Sequence, residues 1–413
     1  MRLFAEEDMQ AFKEFETVSQ TAERLGVTVR AVQKWAAAGK FPEAVKHGRS
    51  WMIPKGAVPD GEGEVQVNKS SGIPGVYSVD PFRMALPFLN GAYPLGKAEE
   101  YINSMPDEDD RAIAMGEYCY YQGRVEEAIA ILTPYLDSDD PSLRYSANSM
   151  FTFANLAAGH IHLSHFSIGN TRDMIRRGLA SDAPVEFHAI GIYTATAFAV
   201  LFHTQPPDDL PPLEDFIRYL PPGFKLFACY VLAHKAYLEK NYVKSLTIAE
   251  HSMLMFRHTY PIASMYLHVS AAMALVNLKR MDEAKAHVAK AWELAKKDGI
   301  YSPFSDHHGL LHGILELHLK KEAPEEYEKV IKLSSLFRSG WQKIHNAEAN
   351  REVAENLSSM EFTVAMLYNR GWLMKEIADH MGISINTVRT HLKSIFNKLG
   401  IADKDELAKY MLI

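Results

Sequence analysis

The chain has 413 residues, too many for a single hydrophobic core, and this length predicts two to four domains. Its 47% hydrophobic and 23% charged residues are typical of a soluble globular protein. The net charge of −7 excludes a uniformly basic nucleic-acid coat but leaves local basic patches open.

Residues 1–60 carry the signals of a small independent domain. An extended "ETVSQ" precedes a predicted helix over about 19–25, a turn at Gly26 and a second helix over about 28–38. Thr28 is the expected N-cap of the second helix, and Gly39 is expected to end it. The stretch "FPEAVKHGRSWMIP" then predicts two short strands joined by a turn at 47–49, which together would form a hairpin wing.

Two short motifs make this segment similar to a known family of DNA-binding domains. With "GKFP" at 39–42 and "WMIP" at 51–54, it resembles the MerR/excisionase type of winged helix-turn-helix. From residue 13 to residue 55, eight basic residues against four acidic ones give a local charge of +4. The alternative is a winged helix kept for protein contact or dimerisation. The resemblance implies two sets of candidate DNA contacts. The first set lies along the major groove and consists of Thr28, Arg30, Gln33 and Lys34. The second set lies along phosphates or the minor groove and consists of Lys46, His47 and Arg49.

A change of composition separates this domain from the middle of the chain. Residues 61–75 are rich in Gly, Pro and Ser and are predicted to be a linker. Over residues 76–345, Ala, Leu and Met recur with a helical period of about 3.6 residues and no strand-like alternation appears. The middle domain is therefore predicted to be all helical.

The helical region contains a weak repeat. Gly116 and Ala128 lie twelve residues apart in "RAIAMGEYCYYQGRVEEAIAILTPYL". A step of 39 residues taken three times from Ala128 reaches Ser245, and once more reaches Ala284, each shortly after a predicted turn. This pattern resembles the tetratricopeptide repeat, which implies about six helix pairs stacked into a curved solenoid whose concave face binds a peptide, a protein or a small ligand. The alternative is an irregular helical bundle.

One loop in this region imitates a nucleotide-binding motif. "GAYPLGKA" at 91–98 approaches the phosphate-binding loop, but Ala98 replaces the hydroxyl residue that would hold Mg²⁺. No buried strand precedes it, so we expect a turn between helices and no ATP binding. No motif for catalysis, metal binding or another cofactor is found, and we expect a protein that is not an enzyme.

Residues 353–413 predict a second DNA-binding domain. "LMKEIADHMG" is expected to form a scaffold helix ended by Gly382, and Ser384 is expected to cap a helix over about 385–399. That helix turns Val388, Leu392 and Ile395 inward, and its outward face carries several cations and no acidic side chain. A helix with a cationic face after a tight turn suits the major groove of DNA.

The order of these elements resembles the LuxR-type, or response-regulator output, helix-turn-helix domain, through "KEIADHMGIS", "NTVRTHLKSIFNKLGI" and Glu361. The resemblance implies four helices and a homodimer, often through the last helix, here "KDELAKYMLI". The opening "SSMEFTV" departs from the family, which suggests a thinner charge network around Glu361. The implied base contacts are Arg389, Thr390 and Lys393, and the implied backbone contacts are Lys375, Asn386, Thr387 and Lys398.

Together these features predict a mainly α protein in which a helical-repeat solenoid is flanked by two helix-turn-helix domains. The expected function is a cytoplasmic bacterial transcription regulator that binds double-stranded DNA as a homodimer and senses an unknown effector through its repeats. Cytoplasmic placement follows from the acidic N-terminus, from two cysteines without motif spacing and from the lack of an apolar run of about 18–20 residues. The alternative is an adaptor tethered to a promoter, whose solenoid binds proteins and whose helix-turn-helix domains serve contact or dimerisation.

Overall fold

The computed structural model describes residues 15–25, 27, 29–47, 50–57, 59, 84–179, 183–311, 313–349, 354 and 356–411. Helices dominate these residues, which confirms the predicted mainly α fold class. No described helix is both long enough and apolar enough to cross a membrane. The predicted linker over 61–75 lies outside the described residues, and the predicted domain boundaries stay predictions.

The N-terminal domain combines two helices with a small sheet. Its elements are β1 Phe15–Thr17, α1 Val18–Leu25, α2 Val29–Ala37, β2 Val45–His47 and β3 Ser50–Pro54. The strands are antiparallel in the order β1-β3-β2, and β2 and β3 form the hairpin that the sequence predicts as a wing. Gly39 follows α2 with a φ of 72°, a left-handed conformation that glycine adopts without a Cβ clash. The predicted cap Thr28 and the turn residues Gly26, Gly48 and Arg49 lie outside the described residues.

A compact core joins the wing to the helices of this domain. Phe41 of "GKFP" and Ile53 of "WMIP" are both buried in it, against Val32 and Ala36 of α2. Arg24 of α1 adds a polar tie, because its Nε donates to a carboxylate oxygen of Glu16 at 2.8 Å. The two signature motifs therefore act by packing, which fixes how α2 is presented.

The helical domain contains thirteen helices among the described residues, besides short 3₁₀ turns. Helices that follow one another in the chain pack in pairs: α4 with α5, α6 with α7, α9 with α10 and α11 with α12. The helices are α3 Ala98–Asn103, α4 Glu108–Tyr121, α5 Val125–Leu132, α6 Pro141–Ala158, α7 Ile161–Leu179, α8 Val185–Leu201, α9 Pro222–Leu238, α10 Tyr242–Leu254, α11 Pro261–Asn277, α12 Met281–Ala295, α13 Ser302–Ser305, α14 Ile314–Glu322 and α15 Pro324–Ala349.

The small residues that define the predicted repeat occupy equivalent places. Ala128, Ser245 and Ala284 are each the fourth residue of the second helix in a pair, and each is fully buried. A Cβ on Gly116 would lie 2.7 Å from Leu132, so this glycine is needed for the close approach of α4 and α5. The equivalence of the three positions is therefore present in the structure. The tetratricopeptide-like character of the domain stays a prediction.

The two ends of the helical domain meet. The hydroxyl of Tyr118 on α4 donates to the carbonyl of Asp298 at 3.0 Å, across 180 residues of sequence. The amide of Tyr301 donates to the carbonyl of Tyr121 at 2.7 Å. In a simple solenoid each repeat contacts its neighbours only. This domain instead closes on itself around a central cavity.

Residues 91–98, whose sequence is similar to a phosphate-binding loop, take part in this closure. Gly96 has a φ of 81°, and its amide donates to Asp298 at 2.8 Å, while the amide of Ala98 donates to the other oxygen of the same carboxylate at 3.0 Å. The loop thus directs its amides at an anion, as phosphate-binding loops do, but the anion is a side chain of the protein.

The C-terminal domain contains four helices, α16 Ser359–Asn369, α17 Met374–Met381, α18 Ile385–Leu399 and α19 Lys404–Leu407, followed by a 3₁₀ turn at Ala408–Tyr410. Its buried residues belong to the same hydrophobic core as those of the helical domain, so the two domains are packed together. Leu407 and Met411, in the segment expected to dimerise, are buried within this core.

Candidate DNA-binding sites

The local chemistry of the C-terminal domain sets the direction of α18. Gly382 ends α17 with a φ of 64°, and the Oγ of Ser384 then accepts the amide of Thr387 at 3.0 Å as the N-cap of α18. Val388, Leu392 and Ile395 on one face of α18 are buried. With its start capped and one face in the core, α18 presents a single defined face to solvent.

The exposed face of α18 carries the predicted base contacts. Arg389, Thr390 and Lys393 are all exposed. Asn386 organises two of them, because its side-chain oxygen accepts from Arg389 at 2.8 Å and its backbone carbonyl accepts from the hydroxyl of Thr390 at 2.9 Å. The face therefore combines two cations with a hydroxyl and a methyl group, which are the groups that recognise guanine and thymine edges in the major groove.

The residues predicted to contact the DNA backbone differ in their surroundings. Lys375 on α17 and Asn386 are exposed, and the hydroxyl of Thr387 lies 2.8 Å from that of Ser384 within the cap. Lys398 is exposed but its Nζ lies 2.7 Å from Glu361, in an ion pair that ties the end of α18 to the start of α16. The predicted contact residues of α17 and α18 are thus all exposed, and Lys398 has an internal partner as well.

Glu361 lies at the centre of a hydrogen-bond network. Its carboxylate accepts from the Ser358 amide at 2.8 Å and from the Ser394 hydroxyl at 2.7 Å, besides Lys398. Burial acts to raise the pKa of Glu361, but the hydrogen bonds from Lys398, Ser394 and Ser358 outweigh it and lower the pKa to about 2. The network therefore holds an ionised carboxylate between α16 and α18, despite the unusual opening sequence.

The N-terminal domain presents a similar helix face. Arg30, Gln33 and Lys34 of α2 are exposed, on the side opposite the buried Val32 and Ala36. On the wing, Lys46 is exposed and its Nζ lies 5.8 Å from the centre of the Trp51 ring. Thr28 and Arg49 lie outside the described residues, as does the side chain of His47.

The sequence did not predict the residues that join the C-terminal domain to the helical domain. Arg370, just after α16, donates to the hydroxyl of Tyr237 at 2.6 Å and also to Asn277 of α11. Glu376 of α17 pairs with Lys279 at 2.6 Å. Isolated arginines and lysines after helix ends give no sequence signal of such partners, because the partners lie far away in the chain.

Other kinds of site find less support. Among the described residues no group of three or more His, Cys, Asp or Glu side chains is placed to hold a metal ion. Cys119 is buried and Cys229 is half-buried, and burial raises the pKa of both thiols, which disfavours the reactive thiolate form.

Comparison with known proteins identifies both ends of the chain. A family model described as bacterial regulatory proteins of the luxR family matches residues 355–411, so this segment is a helix-turn-helix domain of that family. A second model, described as a helix-turn-helix domain, matches residues 17–58. The finer MerR/excisionase type of the N-terminal domain stays a prediction.

A curated relative supports the same reading. The probable transcriptional regulatory protein SgaR of Hyphomicrobium methylovorum is 36% identical over 55 residues, which are 13% of this chain and 26% of SgaR. The chain thus spans about a quarter of the length of this relative. No solved structure matches the chain. The resemblance to SgaR covers 55 residues, and the two family models match residues 17–58 and 355–411.

Proposed function

We propose that this protein is a bacterial transcription regulator that binds double-stranded DNA and responds to a signal or partner through its helical domain. The observation that carries the proposal is the exposed face of α18, where Arg389, Thr390 and Lys393 stand opposite a buried face in a luxR-family domain. A helix held in this way fits the major groove with its side chains against base edges.

The residues of the C-terminal domain divide by role. Arg389 and Lys393 would bind guanine, and Arg389 would exchange its hydrogen bond to Asn386 for one to the base. Thr390 would place its methyl group against thymine. Contacts to the phosphates fix the register of the protein without reading sequence. They would come from Lys375, Asn386, Thr387 and Lys398.

The N-terminal domain would supply a second set of contacts. Arg30, Gln33 and Lys34 of α2 would enter a major groove, with Thr28 at the start of the helix. Lys46, His47 and Arg49 of the wing would follow the phosphates or the minor groove. A homodimer would place two α18 helices on neighbouring major grooves, about one helical turn of DNA apart.

The C-terminal contacts are tested by a double substitution, Arg389→Ala with Lys393→Ala, in the full chain. Fluorescence anisotropy measures affinity for a duplex that the unchanged protein selects from a random pool. We expect a loss of affinity of at least roughly 30-fold, because each specific base contact contributes about 1–3 kcal/mol and the variant removes two of them. The affinity of the unchanged protein should also fall steeply between about 50 and 200 mM salt, since phosphate contacts release counterions.

The matched control replaces two exposed lysines of α12, Lys285→Ala with Lys290→Ala, which removes the same charge elsewhere. This variant should bind DNA as the unchanged protein does. If the α18 variant also binds unchanged, the proposal fails and the promoter-tethered adaptor becomes the better explanation. Circular dichroism of each variant checks that the helices remain folded.

A further inference from the structure

A central cavity of about 130 Å³ lies inside the helical domain, where its two ends meet. Its walls come from α4, α6, α8, α9, α11, α13 and α15, and α16 of the C-terminal domain completes them. Aromatic side chains make up much of the lining, among them Tyr121, Tyr193, Phe198, Phe227, Tyr230 and Tyr266. An apolar cavity of roughly 150 Å³ in another protein takes up benzene. This cavity therefore has room for one ring with a short substituent, and its walls suit a ring.

Among the described residues, two buried polar atoms of the wall lack a hydrogen-bond partner, the hydroxyl oxygen of Ser149 and a ring nitrogen of His234. The Nδ1 of His307 lies 3.0 Å from the carbonyl of Pro303, to which it must donate, so its Nε2 accepts from the hydroxyl of Tyr230 at 2.7 Å. Because the Tyr230 proton is used there, the Nδ1 of His234, 3.2 Å from the same oxygen, must act as the donor. The Nε2 of His234 is then an acceptor, and it is buried without a hydrogen-bond partner.

The burial of His234 makes this acceptor significant. The residue is 2% exposed, and an unsatisfied buried acceptor costs about 1–3 kcal/mol. A donor group on a bound molecule would remove this cost. His234 lines the cavity, but its Nε2 has almost no accessible surface, so a ligand hydroxyl reaches this nitrogen only when the wall adjusts around it.

Arg338 on α15 supplies a cation in the cavity wall. It is half-buried, and no acidic side chain of the described residues lies within ion-pair distance of it. Burial lowers the pKa of its guanidinium, and no carboxylate of the described residues offsets this effect. Its recorded hydrogen bond is a long one, from Nη2 to the carbonyl of Leu357 at 3.3 Å. A guanidinium has five donors and prefers a carboxylate, to which it can donate two parallel hydrogen bonds.

The acidic residue of the cavity, Asp306, is already satisfied by protein donors. Its carboxylate accepts from the hydroxyls of Tyr266 at 2.9 Å and Tyr120 at 3.1 Å. Burial raises the pKa of Asp306 to about 7, so that near neutral pH its charge is partly neutralised by protonation. The cavity wall therefore favours an anion at Arg338 over a cation at Asp306.

We propose that this cavity binds a small aromatic carboxylate, with its ring among the aromatic walls, its carboxylate on Arg338 and a donor substituent on His234. The inference rests on the proposed function, since it names the chemical class of the signal that the helical domain would sense. The walls exclude a large ligand by volume, and the uncompensated guanidinium selects for negative charge.

Arg338 also connects the cavity to the C-terminal domain. Its guanidinium lies 5.7 Å from the ring centre of Phe362 on α16, and Phe362 and Ser359 line the cavity. The Leu357 carbonyl that accepts from Arg338 belongs to the segment just before α16. A carboxylate that draws Arg338 away from these contacts changes what holds α16 against the helical domain. A ligand held by Arg338 would thereby shift how firmly α16 is held, because it binds more tightly when these contacts of Arg338 are released.

The test uses calorimetric titration of the full chain with 4-hydroxybenzoate and three matched probes: its amide 4-hydroxybenzamide, its amine analogue 4-hydroxybenzylamine, and benzoate. We expect the hydroxylated acid to bind with a Kd below roughly 1 mM. The amide and the amine should bind at least about tenfold more weakly, the effect of losing one charge-assisted hydrogen bond. The acid without the hydroxyl should bind several-fold more weakly.

An Arg338→Met variant should lose the preference for acid over amide, whereas Lys332→Met, an exposed cation elsewhere on α15, should keep it. Equal binding of acid and amide, tighter binding of the amine, or no heat with the acid would each overturn the inference. These comparisons within the unchanged protein hold even if Arg338→Met fails to fold. A chain that binds its DNA but not the acid refutes this inference alone, and one that binds the acid but not DNA refutes the proposed function.

Discussion

At the scale of single residues, Glu361 is a nearly buried carboxylate that hydrogen bonds from α18 and from the residue just before α16 hold in place. The residue is 5% exposed, yet three hydrogen bonds from Ser358, Ser394 and Lys398 keep its carboxylate ionised. A buried carboxylate is tolerated only when its oxygens are satisfied in this way. Glu361 therefore stabilises the orientation of α18 against α16.

The first prediction concerns Glu361→Gln and its dependence on pH. The folded pKa of about 2 lies below the value of 4.5 for an unperturbed glutamate. The carboxylate therefore contributes stability that is fully present above about pH 4.5 and is lost as the pH falls towards 2. At neutral pH the variant should be less stable by about 1–3 kcal/mol, because Lys398 and Ser394 lose a charged partner.

Urea unfolding at about pH 7 and about pH 3 measures this difference, which should shrink at the lower pH. Glu293→Gln is the control, since Glu293 is an exposed carboxylate of α12 paired with Lys296 one turn away. The control should change stability little at either pH. A Glu361→Gln effect that stays constant with pH would show that the carboxylate charge is not the stabilising feature.

Residue roles were predictable from the sequence where they depend on neighbours in the chain. The cap at Ser384 and the left-handed turn at Gly382 are local features, and both were predicted correctly. Lys398 was assigned to the DNA backbone as one more cation of α18. Its ion pair with Glu361 joins residues 37 positions apart, and no local pattern specifies such a register.

At the scale of elements, the long helix α15 lies so close to α6 that one position admits no side chain. A Cβ built on Gly340 would lie 2.2 Å from the carbonyl oxygen of Leu156. Backbone atoms of a helix cannot yield as the end of a side chain does. Glycine at this position therefore sets the distance between two helices that both line the cavity.

The second prediction compares two glycines within helices. Gly340→Ala should push α15 away from α6 and destabilise the protein by about 1–3 kcal/mol or more, the usual effect of overpacking. Gly169→Ala on α7, where nothing lies within 4 Å of the new Cβ, should stabilise it by roughly 0.5–1 kcal/mol. Urea midpoints of both variants give the comparison. Effects of the same sign would contradict the packing of α15 on α6.

The elements themselves were largely predictable, because helical periodicity is strong and Gly and Ser mark the ends. The helix over 385–399 matches α18 in full, and the small residues at 128, 245 and 284 identified three equivalent helices. The closure of the helical domain was not predictable. It depends on contacts such as Tyr118 with Asp298, which no short repeat pattern encodes.

At the scale of the whole molecule, the C-terminal domain is held by the helical domain. Arg370 lies 5.0 Å from the ring centre of Tyr237 and donates to its hydroxyl, and Lys279 pairs with Glu376. In this arrangement the cations on the exposed face of α18 lie in solvent. The cavity, the interface between the domains and α18 therefore belong to one packed unit.

The cavity could not be predicted from the sequence. Its lining comes from seven helices of the helical domain and one of the C-terminal domain, and aromatic residues at helical spacing are as typical of a core as of a ligand site. Arg338 does not belong to a recognisable sequence motif either. What distinguishes it is that it forms no ion pair with an acidic side chain of the described residues, together with its contacts to Phe362 and Leu357.

We propose that α18 carries the main share of sequence reading in the full chain and that α2 adds contacts to the flanking DNA. The most direct measurement is selection of bound duplexes from a random-sequence pool, run in parallel with the unchanged protein, the Arg389→Ala/Lys393→Ala variant and the Arg30→Ala/Lys34→Ala variant. The account predicts that the unchanged protein and the N-terminal variant enrich the same core motif, whereas the α18 variant does not. Enrichment of that motif by the α18 variant would contradict the account.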